Sequence, residues 1–189
     1  MYPWLRLIKA YVTASRQSKI QWHETHVSHT MCWPWDLDPW NELNNGRALT
    51  FFDLGRIGWT ARMDVMGTMK ANKWGMAVAG TSVRYRRRVQ MFHKLELRTR
   101  IAGWDDKFFY YEQTAWKSDG ECAYHAALRA ALTSRKGLVA PVELVEALDR
   151  GIKQPQLPEW IQQWSRAEEM RPWPPMSEET PQVDLTAAE

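Results

Sequence analysis

The sequence predicts an α+β domain in which an antiparallel sheet wraps around one long buried helix. Three observations lead there. Residues 46–66 carry apolar side chains nearly all the way round a helix: Leu49, Phe51, Phe52, Leu54, Ile57, Trp59, Met63, Val65 and Met66. After Trp74 the apolar spacing changes from a period near 3.6 to a period of about 2. Turn signals at Gly103-Trp104-Asp105-Asp106 and Ser118-Asp119-Gly120 then divide the chain into strands. A helix apolar on every side and a sheet with one apolar face can cover each other.

The elements follow in order. Residues 1–18 read as a basic amphipathic helix, with Trp4, Leu5, Ile8, Tyr11 and Val12 at helical spacing. Arg6, Lys9, Arg16 and Lys19 accompany them, with no acidic residue up to Lys19. Such a helix can rest on an anionic membrane surface, or it can pack its apolar side on the domain or on a partner subunit. Residues 19–35 read as a strand, followed by the helix over 46–66. Gly55 and Gly58 weaken that helix by about 1 kcal/mol each against alanine, so a neighbouring backbone is expected close by. Residues 76–88 form the next strand. Leu95, Leu97, Thr99 and Ile101 alternate with Glu96, Arg98 and Arg100 in another. Aromatic-rich 107–117 and then 121–132 complete an expected four-stranded meander. The domain spans 19–150. Residues 151–189 hold six of the ten prolines and an excess of acid. One short helix is expected after Pro158, with Trp160 and Trp164 on one face, and an extended or disordered chain beyond Arg171.

Composition narrows the class. With 44% hydrophobic and 25% charged residues, the 189-residue chain is globular. Its net charge of +3 is too small to argue for nucleic acid, and no nucleic-acid motif is present. Cys32 and Cys122 are far apart and outside any C-x-x-C pattern, which fits a reducing, cytoplasmic setting, with peripheral membrane contact through the first helix as an addition. No apolar run reaches the roughly 18 residues that span a bilayer. His23, His26, His29, His93 and His125 form no helical i, i+4 pair, so neither a metal nor a cofactor is expected.

The chemistry concentrates in Asp36-Leu37-Asp38-Pro39-Trp40-Asn41-Glu42-Leu43-Asn44-Asn45-Gly46. A carboxylate at a turn stands next to the free N–H groups of a helix start. Acyl transfer needs both a base or nucleophile and oxyanion donors. A turn and helix-entry role for Asp38 uses the same residues. Asn44 and Asn45 suit a helix cap, with the N–H groups around Asn45 and Gly46 facing a substrate carbonyl. Glu42 is a second candidate acid or base, or a solvated loop residue. Asp53 lies three residues before Arg56 on the helix and reads as an ion pair or as a catalytic carboxylate. Arg84, Arg86 and Arg88 alternate onto one strand face. They read as holders of phosphate or as a solvated face.

The D-x-D-x(5)-N-N-x-x-x-L pattern formed by Asp36, Asp38, Asn44, Asn45 and Leu49 resembles that of hotdog-fold acyl-CoA thioesterases, the 4-hydroxybenzoyl-CoA thioesterase-like group. Val83 to Val89, Leu95 to Asp105, Glu112-Gln113 and the Asp119-Gly120 hairpin are similar to that group's strands, and the likeness covers roughly residues 19–135. The resemblance implies a hotdog fold, a homodimer joined edge to edge and often paired into a tetramer, and acyl-CoA or another thioester as substrate at the dimer interface. It implies Asp38 as the catalytic carboxylate. Many relatives carry Gly-His where this chain has Asn41-Glu42, and Tyr where it has Ala48. The expected activity is thioester hydrolysis. The alternative is a non-catalytic hotdog protein that binds acyl-CoA or acts as a scaffold at a membrane.

Overall fold

The computed structural model describes residues 3–148 and 151–175. The chain divides into two compact units, residues 1–156 and 157–189. The second contains a helix at Glu159–Glu169, as its Trp160 and Trp164 spacing predicts. Residues 176–189 of the expected extended tail lie outside the described residues.

In the first unit, α1 (Trp4–Ser15) precedes β1 (His26–Met31) and α2 (Asn45–Met63). After α2 come α3 (Val65–Ala71), β2 (Gly75–Tyr85), β3 (Lys94–Trp104), β4 (Phe108–Lys117), β5 (Cys122–Ser134), β6 (Gly137–Val139) and α4 (Pro141–Ala147). The sheet is antiparallel in the order β1-β3-β4-β5-β2, with β6 beside β5. The expected meander therefore holds only from β3 to β5. β2 lies at the far edge, because the strand that follows the buried helix joins β5 rather than β3.

α2 sits against the apolar face of this sheet. Alternation is clear in β3, where Leu95, Leu97, Thr99 and Ile101 are buried while Lys94, Arg98 and Arg100 are exposed. Phe51 and Phe52 pack with Leu95, Leu97 and Tyr124 at one end of the core. Trp59 and Met63 pack with Trp22, Trp104, Phe109 and Tyr111 at the other. Trp22 meets Trp59 edge-on at 5.6 Å.

Four expectations are corrected. The first strand covers 26–31 rather than 19–35. The long helix breaks at Asp64, whose φ of 60° is left-handed, and α3 continues from there; Asp tolerates that conformation better than most residues. α2 is not apolar-buried all round, since Leu49 is exposed. Finally, the helix glycines face side chains and not backbone. A Cβ at Gly55 would come within 2.7 Å of Thr99 Oγ1, and one at Gly58 would strike the ring of His26.

Polar groups fix how α2 lies on the sheet. The Gln113 side chain is buried and donates to the Phe52 carbonyl at 2.8 Å and to Thr99 Oγ1 at 2.9 Å. Arg56 donates to Gln113 Oε1 at 2.7 Å and to Asp53 Oδ1 at 3.0 Å. A buried amide with its partners in place holds a single register.

Candidate active site

The turn between β1 and α2 is built around a buried carboxylate. Asp36 ends a short 3-10 turn at Pro34–Asp36 and is 1% exposed. Its Oδ2 accepts from Arg6 Nη2 at 2.6 Å and from the Trp33 N–H at 2.9 Å, and its Oδ1 accepts from Arg6 Nη1 at 3.0 Å. Arg47 adds a second cation at 3.8 Å. A carboxylate so enclosed anchors the turn, in keeping with a hydrogen-bonding role for the first Asp of the D-x-D.

Asp38 stands differently. Leu37 and Leu43 form a bridge that pinches the turn. Within it the Asp38 N–H donates to the Glu42 carbonyl at 2.8 Å, and Asn41 takes a left-handed φ of 59°. Asp38 Oδ1 accepts from the N–H of Trp40 at 2.9 Å and of Glu42 at 3.2 Å. These two donors set the carboxylate's rotamer, and the group is only half-buried. The Asn44 N–H donates to the Asp36 carbonyl at 2.9 Å, so the anchored and the half-exposed carboxylate belong to one rigid loop.

Asn44 is the N-cap of α2, with its Oδ1 accepting from the N–H of Gly46 at 2.9 Å and of Arg47 at 3.3 Å. The Gly46 N–H therefore points into the cap. The Asn45 N–H is not among the cap's donors. A Cβ at Gly46 would lie 3.2 Å from the capping oxygen, so a side chain there crowds the cap.

Tyr124, from β5, has no counterpart in the sequence reading. It is 5% exposed and meets Tyr85 edge-on at 5.1 Å, and the Tyr85 hydroxyl donates to the Asn45 carbonyl at 3.4 Å. Burial first, then Cys32, Glu42, Tyr85 and Asp38, push the Tyr124 phenol above its ordinary range. It is therefore a neutral hydroxyl at working pH. Tyr124 is far from Asp38 in sequence, and the pairing of β5 in the sheet together with its packing against α2 brings it near.

Glu42 is half-buried and pairs with Arg88 at 2.9 Å. β2 ends at Tyr85, so the expected alternation of Arg84, Arg86 and Arg88 stops there, and the last two lie in a loop. On β2, Arg84 stands opposite His125 of β5. Arg86 and Arg87 line a cavity of about 320 Å³ with Cys122, Tyr124 and His125. Arg87, outside the expected set, is held by Glu121 at 3.2 Å. Asp53 is apart from this group: with Arg56 it lines a second cavity of about 200 Å³ beside Met66, Met69, Met76 and Tyr111.

A turn carboxylate, a capped helix start, a neutral phenol and nearby arginines are thus brought together. Comparison with known proteins gives this arrangement a family. The model of the thioesterase-like superfamily matches residues 32–165, and the chain belongs to that superfamily. It is 33% identical over 136 residues to Protein THEM6 of Xenopus laevis, covering 69% of this chain and 62% of that protein. It is 34% identical over 135 residues to Protein THEM6 of Danio rerio, covering 69% and 64%. The match thus spans a little under two thirds of these relatives' length. Among solved structures, the YbaW probable thioesterase from Escherichia coli has a TM-score of 0.56 at 20% identity, covering 67% of this chain and 98% of that one. The 1,4-dihydroxy-2-naphthoyl-CoA thioesterase Slr0204 from Synechocystis has a TM-score of 0.58 at 8% identity, covering 70% and 100%. SAV2348 from Staphylococcus aureus, solved in complex with CoA, has 0.54 at 11%, covering 76% and 96%. The fold is the α+β hotdog fold.

Proposed function

We propose that this thioesterase-superfamily chain hydrolyses the thioester of an acyl-CoA, with Asp38 as general base or nucleophile. The observation that carries the reading is the Asp38 turn. One carboxylate oxygen is fixed by two backbone N–H groups, and the carboxylate leads directly into the capped start of α2. As base, Asp38 takes a proton from water while the water oxygen bonds to the thioester carbon. The C–S bond then breaks, and the thiolate leaves and is protonated. As nucleophile, Asp38 bonds to that carbon, forming an anhydride and releasing the thiolate, and water then cleaves the anhydride. In both routes the carbonyl oxygen gains charge. The Asn45 N–H at the positive end of α2 is the donor for it, with Gly46 and Asn44 setting the geometry of the turn.

Arg84, Arg86 and Arg88 are proposed to face the CoA phosphates, which arginine recognises in fork geometry. Glu42, paired with Arg88, orients that arginine. Asp53 is read as the partner of Arg56. The active unit is proposed to be a homodimer. β2 presents an edge of eleven mostly exposed residues, suited to pairing with a second copy.

The test is thiol release from short, long and aromatic acyl-CoAs by the protein and by Asp38→Asn. Asn keeps an oxygen for the Trp40 and Glu42 donors, so the turn persists. Turnover by the wild type that falls at least 100-fold in the variant supports the reading. Binding of acyl-CoA without turnover of any substrate overturns it in favour of a non-catalytic binder.

A further inference from the structure

α1 docks with its apolar side outward. The face it turns to the domain carries Arg6, Ala10 and Ala14, which line a cavity against β1, and Ala14 is the helix's only buried residue. The opposite face carries Leu5, Ile8 and Val12, exposed by 85%, 58% and 38%. A helix stabilised only by its own domain would turn those residues inward. Lys9 and Arg16 are exposed on the same helix, and no acidic residue occurs up to Lys19.

A second apolar surface lies on the turn that Arg6 of α1 grips. Trp33 and Trp35 stack with their planes 3° apart and centroids 5.3 Å apart, and Phe92 meets Trp33 edge-on at 6.0 Å. Trp35 and Phe92 are 64% and 53% exposed. Arg6 ties the two surfaces together, because the Asp36 carboxylate it grips also accepts from the Trp33 N–H. Lys9 and Trp33 line the same cavity.

We propose that α1 and the Trp33, Trp35 and Phe92 cluster form one docking surface for an anionic lipid bilayer. Outward leucine and isoleucine supply burial among acyl chains, tryptophans suit the headgroup boundary, and lysine and arginine without opposing acid match anionic headgroups. The positive charge favours a lipid surface over a second copy of this face, which would set like charges against each other. The Asp38 turn follows directly on Trp35, so docking brings the candidate active site to the membrane. That last clause alone rests on the hydrolase reading.

The experiment is co-sedimentation of the full chain with vesicles of phosphatidylcholine alone and with 30 mol% phosphatidylglycerol, a composition chosen for the test. The proposal expects at least tenfold tighter binding to the anionic vesicles. Leu5→Glu with Ile8→Glu, and separately Lys9→Glu with Arg16→Glu, should each lose at least tenfold. All four positions are exposed, and circular dichroism and release of thiol from soluble acyl-CoA should match the wild type. No wild-type binding to anionic vesicles, or unchanged binding by both variants, overturns the proposal. So does a change of mass by light scattering in the Leu5→Glu, Ile8→Glu protein whose wild type ignores vesicles, which would make the face a contact between copies. A wild type that binds vesicles yet hydrolyses no acyl-CoA removes the hydrolase reading and leaves the docking surface standing.

Discussion

Arg6 and Asp36 are joined by a two-pronged ion pair, Nη2 to Oδ2 at 2.6 Å and Nη1 to Oδ1 at 3.0 Å, although they lie on separate elements. The carboxylate is 1% exposed and the guanidinium side chain 18%. Arg6 also lies over the Phe51 ring at 5.0 Å, so the same side chain links α1, the turn before α2 and α2 itself.

Removing Arg6 takes away that carboxylate's close counter-charge. Arg6→Ala is expected to destabilise the domain by roughly 2–3 kcal/mol, because a buried charge loses its close counter-charge and keeps only the Trp33 N–H and the more distant Arg47. Asp36→Asn placed in the Arg6→Ala background should recover part of the loss, since the amide needs no counter-charge. Urea midpoints of the single and double variants check both parts.

His26 makes stability depend on pH. It is 2% exposed, and burial first and Arg62 second push its pKa down from 6.5 to about 4. Between those values the unfolded chain binds a proton that the folded one does not, so unfolding is favoured as pH falls. The stabilisation is fully present above pH 6.5 and is lost progressively toward pH 4, a total on the order of 3 kcal/mol. Urea unfolding at pH 7.5, 6 and 5 should show this slope in the wild type and a flatter one in His26→Gln.

Asn45→Pro separates chemistry from folding. Asn45 is the first residue of α2, where proline is favoured, and Asn44 before it has φ −57° and ψ 137°, which proline accepts. The substitution deletes one N–H and one exposed carboxamide, and Asn45→Ala, which deletes the carboxamide alone, is the control. A fall in kcat of roughly 100-fold to 1,000-fold with an unchanged melting temperature is expected. Unchanged kcat would remove this amide from the mechanism.

Two helix glycines should respond in opposite directions. A methyl at Gly58 meets the His26 ring, whereas nothing lies within 4 Å of one at Gly67. Gly67→Ala should raise stability by about 0.5–1 kcal/mol through helix propensity. Gly58→Ala should lower it by roughly 1–3 kcal/mol, because overpacking outweighs that gain. Thermal melts of the two variants side by side decide the matter.

What the sequence could reveal follows from how local each feature is. The Asp38 turn and the Asn44 cap are built from neighbouring residues, so their local geometry is readable from spacing. α2 and the alternation of Leu95, Leu97 and Ile101 are readable for the same reason. The helix break at Asp64 is hidden, because Met63, Val65 and Met66 keep the apolar spacing across it while one left-handed φ redirects the chain. The edge position of β2 is hidden too, since its partner β5 begins at Cys122. The pairing of Arg6 with Asp36 and the arrival of Tyr124 beside the turn depend on tertiary packing that no local pattern encodes. The arginines at 86 and 88 mislead, because an alternating run does not show where a strand stops.

The far-edge placement of β2 also has a consequence on the ribosome. β2 is complete at Tyr85, but β5, its only strand partner among the described residues, ends at Ser134. At translation speeds of about 5–20 residues per second, the nascent chain carries β2 without its partner for roughly 2–10 s. Throughout that interval both edges of an eleven-residue strand are bare. The irregular register between Val78 and Gly80 and the charge of Arg84 are built into that strand, and both oppose its pairing with the wrong neighbour. The edge proposed for pairing with a second copy is therefore a hazard during the chain's birth, and the chain carries its safeguards within the strand itself.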